Sequence, residues 1–437
     1  MSQFYWGLLG PELLTTTRRT RTLGLGAAVR HFNDLAVPGL GGVWYGKQLL
    51  LATLGVAVAE EARSSGAKVN NIEVANAIEA VACYLSFKRK RSDARLRGNN
   101  KLRGIKDLSF QKVRQKNFYV TQPMRMATAQ ALPSLGFVES ESVRFNAFRC
   151  TSEGREILNQ AMKDCRPHNR DVITHLVKWV LGKHSDLLSD DLFNALSPLI
   201  PLTKMPEYAT KLLLERLTHG GNELEQDKQR RVSVLAWVES LRNNSPDKLT
   251  WEERPQQFSE DHWHDLQAGA LFFEAREAAI ATLDAAEAHI GNQGAGQSLS
   301  LKNQVPDSLA QPLINLKSAA RLYLEHVSQS SPDKDRDAKA FCNECIRDED
   351  SVILRNLVNR DGHVLRLIGD EIKPGAAFRG SITEVSANDE DQETPKAGDI
   401  ALPKGISYRV RNLYLLNLDL HGELDEWLKK SNDEGNL

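Results

Sequence analysis

Between residues 121 and 158 the chain reads TQPMRMATAQALPSLGFVESESVRFNAFRCTSEGREIL, and its apolar period changes twice. Thr121 suits the start of a helix. Pro123 suits its first turn, where its missing N–H would have no partner anyway. Met124, Ala127, Ala131 and Leu132 then recur at helical spacing. Gly136 closes that element, and Phe137-Val138 opens a strand. Residues 139–142 form a polar tip. Val143, Phe145, Ala147 and Phe148 alternate with Arg144, Asn146 and Arg149 on a return strand, slipping at Ala147-Phe148 as a bulge would. Thr151, Gly154 and Ile157-Leu158 then read as a capped closing helix.

Helix, hairpin and helix in this order resemble the winged helix-turn-helix superfamily. The likeness is to bacterial regulators in which LxxLGFV, a wing and LTxxGxxxL follow a recognition helix. The matching text is Leu132-Pro-Ser-Leu-Gly-Phe-Val138 and Cys150-Thr-Ser-Glu-Gly-Arg-Glu-Ile-Leu158, within about residues 106–160. Pro133 departs from the pattern and shortens or bends the helix, and Cys150 stands where leucine is usual. The resemblance implies that the helix over 122–132 enters a major groove with Gln122, Arg125, Thr128 and Gln130 available. Arg144, Asn146 and Arg149 of the wing would meet phosphates or the minor groove. The same fold also serves as a protein–protein module.

The residues before this stretch carry a charge asymmetry. Lys88, Arg89, Lys90, Arg91, Arg95, Arg97, Lys101, Arg103, Lys106, Lys112, Arg114, Lys116 and Arg125 face only Asp93 and Asp107. The whole chain of 437 residues has a net charge of −1, so overall charge points to no partner. A local excess of this size does point to a polyanion, because lysine and arginine release counterions from phosphates.

Other motifs are incomplete. Gly41-Gly-Val-Trp-Tyr-Gly-Lys47 has the GxxxxGK spacing of a phosphate-binding loop. However, Gln48 replaces the serine or threonine that would hold magnesium, and Trp44 and Tyr45 are bulky for a tight wrap. His262 and His264 beside Asp261 and Asp265 lack a placed third metal ligand. Cys342-Asn-Glu-Cys345 is a lone CxxC with no second pair. Arg18, Arg19 and Arg21 form a small basic cluster, read either as a solvated turn or as a phosphate contact. No cofactor and no bound metal are expected.

The fold class expected is mainly α, multi-helical, with an embedded winged helix-turn-helix and a small β-containing C-terminal part. Four parts follow from the composition breaks: an N-terminal helical region (1–87), the basic loop and winged helix (88–165), a helical bundle (166–245) and a C-terminal helical domain (260–437). The last contains short strands and an acidic loop at 387–399. Residues 49–59 are apolar but too short to span a bilayer, so they predict a buried helix and no membrane association. Five cysteines, an odd number, and no secretory signal indicate a reducing cytoplasm. The function expected is a non-catalytic, duplex-DNA-binding component of a bacterial multi-protein system, with a protein partner or self-association. Genome maintenance or antiviral defence fits this layout by analogy. The alternatives are a protein–protein scaffold, or a nucleotide- or metal-dependent enzyme.

Overall fold

The computed structural model describes residues 21–89, 93–116, 118–183, 195–244, 249–294, 297–328, 336–380 and 400–434. Mainly helical structure with a few small antiparallel sheets is what forms. The chain divides into two compact units. One joins residues 31–270 to 386–437, and the other joins 1–30 to 271–385.

The first unit is assembled on α2 (Gly46–Ser64). This helix is apolar around its circumference, and Leu49 through Ala59 are all buried. A helix of that kind must be enclosed on every side. It packs against α3 (Asn71–Phe87), α6 (Arg125–Thr128), α7 (Ala131–Ser134), α8 (Ser152–Met162) and α9 (Val172–Val180). One element therefore buries residues from three of the expected domains, which is why they share a core. Gly55 lets α3 approach closely, since a Cβ there would sit 2.5 Å from that of Ala75. No described helix is long and apolar enough to cross a membrane.

Residues 249–266 also join this core. Trp237 meets Phe258 at 5.2 Å between ring centroids, and Trp251 meets Trp263 at 5.0 Å. α10 (Glu207–His219), α11 (Glu225–Asn244), α16 (Tyr408–His421) and α17 (Leu424–Glu434) complete the unit.

The second unit contains the latter part of α12 (Glu260–Asn292), then α13 (Asp307–Val327), α14 (Arg336–Cys345) and α15 (Asp350–Asp361). Gly362 ends α15 in the left-handed region, at φ 63°. β3 (Leu299–Ser300), β4 (Leu365–Ile368) and β5 (Glu371–Pro374) form an antiparallel sheet in the order β3-β5-β4. Arg21 is buried here against Asp284, Glu287 and Asp361. A guanidinium neutralised by three carboxylates is not available to a phosphate, which corrects that reading of the basic cluster. Arg18 and Arg19 lie outside the described residues.

Candidate nucleic-acid interface

The segment 121–162 keeps its expected order, with changes that follow from its residues. The single helix over 122–132 is two short turns, α6 and α7. Pro133 has no N–H to offer the carbonyl of Ala129, so the helical ladder cannot run through. β1 (Val138–Glu139) pairs antiparallel with β2 (Arg149–Cys150), Val138 opposite Cys150. The return strand expected from Val143 is instead a 3-10 turn at Phe145–Ala147. Phe145 and Phe148 are both buried, 5.3 Å apart. Residues three apart point to opposite faces of a strand but to one side of a 3-10 turn. Thr151 caps α8 by accepting the Gly154 N–H, as its sequence predicts.

α3 sets where the cations can be. Asn70 and Glu73 form a reciprocal capping box at its start. Asn71 donates to the carbonyls of Phe145 and Phe148 at 3.0 and 2.9 Å, which fixes the hairpin at this end. The other end carries Lys88 and Arg89 beside α4 (Asn99–Leu102). α3 has 17 residues. At 1.5 Å per residue its ends lie about 25 Å apart. The hairpin cations Arg144 and Arg149 therefore belong to a different place from Lys88 and Arg103.

Several residues expected to contact DNA are turned inward. Arg95 is buried and paired with Asp93 at 2.9 Å and Asp425 at 2.6 Å. Arg97 is buried and donates to the Gln122 carbonyl at 2.6 Å. The Gln122 side chain is buried as well. Thr128 is fully buried, with its hydroxyl on the Arg125 carbonyl at 2.9 Å. Arg125 donates to Asn76 at 2.5 Å and lies 5.5 Å from the Phe145 ring centroid. Gln130 donates to Asp34. The backbone at the end of α6 is itself covered, because Gly42 N–H donates to the Ala127 carbonyl at 2.9 Å. These contacts correct the expectation that Gln122, Arg125 and Thr128 face a groove. Asn146, also expected at DNA, accepts the Ile72 N–H at 2.9 Å and so caps α3. Arg114 is partly buried against Glu73 at 2.6 Å.

Beneath this segment lies the carboxyl of Glu79. It accepts from the Tyr119 hydroxyl, from Met124 N–H at 2.5 Å and from Arg125 N–H at 3.1 Å. Burial pushes it up to about 7, against the lowering effect of those N–H groups, Arg97 and Arg125. It is a structural anchor, closed to solvent.

The exposed cations are Lys88, Arg89, Lys101, Arg103, Lys106, Lys112, Lys116, Arg144 and Arg149. Lys90 and Arg91 lie outside the described residues. Five of them lie just beyond the C-terminal end of α3 (Lys88 and Arg89) or in and after α4 (Lys101, Arg103 and Lys106). Of the two nearby acids, Asp93 is consumed by Arg95. Here a cleft of about 360 Å³ is lined by Tyr84, Phe87, Lys88, Asn99, Leu102, Arg103 and Gly104. The Lys88 ammonium is 5.6 Å from the Tyr84 ring centroid, and Arg103 Nε donates to Asn99 at 3.2 Å. The sequence reading missed Tyr84, Phe87 and Asn99. Their signal was present: Tyr84, Phe87 and Lys88 are spaced i, i+3, i+4 and share a helix face.

The remaining motifs are internal. Lys47 donates to the Pro198 carbonyl at 2.9 Å and to Thr203 at 3.2 Å, and burial lowers its ammonium to about 8. The N-terminus of α2 is already occupied, because Gly46 N–H donates to the buried carboxyl of Asp419 at 2.8 Å. Gln48 accepts from Trp44 N–H at 2.8 Å. A phosphate has no opening there. His262 is buried, with Nε2 3.1 Å from the Ala36 carbonyl, and burial lowers it to about 4. Among the described residues no group of three or more His, Cys, Asp or Glu could hold a metal ion. Cys342 and Cys345 are both buried on α14 with their thiols pushed up by burial, Cys345 to about 12. The acidic loop lies outside the described residues.

Comparison with protein-family models, with curated proteins and with solved structures finds no match.

Proposed function

We propose that this chain is a non-catalytic nucleic-acid-binding protein that grips duplex DNA through the cationic surface at the C-terminal end of α3 and around α4. One observation carries the reading. Lys88, Arg89, Lys101, Arg103 and Lys106 are all exposed in a region where Asp93 is already neutralised. In a chain of net charge −1, exposed cations concentrated along residues 88–106 favour a polyanionic partner. The segment 106–162 is a variant winged helix whose reading helix has been taken into the core. Its hairpin, with exposed Arg144 and Arg149, supplies a second, weaker phosphate contact. Five free cysteines fit a reducing compartment such as the cytoplasm.

The experiment is an anisotropy titration of a labelled blunt duplex. Lys88→Ala/Arg103→Ala weakens binding more than Arg144→Ala/Arg149→Ala does. Equal binding by all three proteins would refute the assignment.

A second reading, a protein–protein module, draws on the packing of α6 and α7 against Gly41-Gly42 and on Val143, which is 94 % exposed at the hairpin tip. Under it, a Val143→Glu variant loses a protein partner while DNA binding is unaltered.

A further inference from the structure

The cleft at the end of α3 has a feature that duplex binding does not need. A surface that only tracks a phosphate backbone requires cations on a convex or shallow face. Here two aromatic rings, Tyr84 and Phe87, stand one helical turn apart and form walls together with Leu102. Both rings are only partly buried. Lys88 and Arg103 stand at the rim, and Asn99 adds an amide. Lys88 and Arg89 also complement the negative end of the α3 dipole, and the Lys88 ammonium lies over Tyr84, but the dipole accounts for neither Arg103 nor the partly exposed Phe87 ring.

We infer that this cleft receives one unpaired nucleotide of a DNA strand. Its base would lie against Tyr84 and Phe87, and its phosphates would face Lys88 and Arg103. A flat π-system against aromatic walls with cations at the edge is how single strands are held without regard to sequence. The size agrees, because ligand clefts begin at roughly 300 Å³, and about 360 Å³ admits one ring system with its sugar and not two. Asn99 Oδ1 is engaged by Arg103, which leaves its amide N–H groups to donate to a base edge. The occupant is therefore a strand end, a gap or an extruded base adjoining the duplex gripped by the surrounding lysines. This inference rests on the reading proposed above and adds the structural state of the DNA.

The test compares a blunt duplex with the same duplex carrying a short single-stranded overhang, by anisotropy at fixed salt. The overhang binds about ten-fold more tightly or better, and Tyr84→Leu/Phe87→Leu removes that preference while leaving blunt-duplex binding within about two-fold. Leucine keeps the apolar volume, and urea unfolding checks that the variant is folded. A second readout needs no variant. An overhang containing 5-iodouracil is photo-cross-linked to the wild-type protein, and adducts are mapped by mass spectrometry to Tyr84 or Phe87. Adducts that fall only elsewhere, or equal binding of blunt and overhang DNA, overturn the inference while leaving duplex binding standing. Absence of binding to either DNA at low salt brings down both.

Discussion

Replacing Glu79 with glutamine isolates the electrostatics on which the segment 119–125 is anchored. The ordinary value of this carboxyl is 4.5, and burial pushes it up to about 7. At about 1.4 kcal/mol per pH unit of difference, keeping it ionised in the folded chain costs roughly 3 kcal/mol. The sign follows from the direction. A raised value means that the folded state holds the proton more tightly. The associated stability is complete below pH 4.5 and is lost as pH rises through 7. Glutamine does not titrate, but it turns an NH₂ toward one of the two backbone N–H donors, Met124 or Arg125, at a cost of about 1–2 kcal/mol at every pH. The two stability curves should therefore cross. At pH 5, where wild type has already lost a little under about 1 kcal/mol of that stability, the variant is less stable by up to about 1 kcal/mol, and at pH 9 it is more stable by about 1–2 kcal/mol. His262 works in the opposite sense. Lowered to about 4, it contributes stability that is present above 6.5 and lost as pH falls through 4. It is common to both proteins, so the difference between them removes it. Urea unfolding followed by tryptophan fluorescence is the assay. Trp44, Trp179, Trp237, Trp251, Trp263 and Trp427 all lie in the unit that contains Glu79. A difference that stays constant from pH 5 to pH 9 would refute the reasoning.

Other variants separate packing from recognition. Arg125→Ala lowers stability by about 1–3 kcal/mol through loss of its bond to Asn76 and its contact with Phe145. DNA affinity changes less than about two-fold, and a ten-fold loss without unfolding would return this residue to the interface. Gly41→Ala destabilises by about 1–3 kcal/mol. Gly41 has φ +61° and a Cβ there would meet the Ala127 carbonyl oxygen at 2.6 Å. A stability equal to wild type in urea would contradict this. Cys342 and Cys345 alkylate slowly in the native protein at pH 8 and quickly in urea; fast native labelling would argue for an open thiol pair.

What the sequence made legible was local chemistry. Thr151 caps α8 and the apolar run 49–59 is a buried helix, because each depends on residues a few positions apart. What escaped it depended on partners far along the chain. Arg95 reads as a surface cation until Asp425 is found beside it, and Arg97 until the Gln122 carbonyl is. A basic side chain with a distant acidic or carbonyl partner looks in sequence like any other basic side chain. The return strand failed for a different reason. Phe145 and Phe148 both had to reach the core at the start of α3, and that need overrode the alternation of Val143 to Ala147. Composition breaks at residues 87, 165 and 245 say nothing of α2, which draws residues from the neighbouring regions around itself. The α3–α4 cleft was half visible. Its cations stood out by charge, whereas Tyr84 and Phe87 passed as ordinary helix residues until α4 was seen to lie beside them.

The salt dependence of duplex binding tests the proposed contact most directly. If the five exposed cations near the end of α3 each meet a phosphate, log K falls against log salt with a slope of about −4.5, or roughly 500-fold in affinity between 50 and 200 mM. Lys88→Ala/Arg103→Ala reduces the slope to about −2.7, or roughly 40-fold over the same range. Arg125→Ala leaves it unaltered. A wild-type slope near zero, or a slope that Arg125→Ala reduces and the Lys88/Arg103 pair does not, would contradict the central claim.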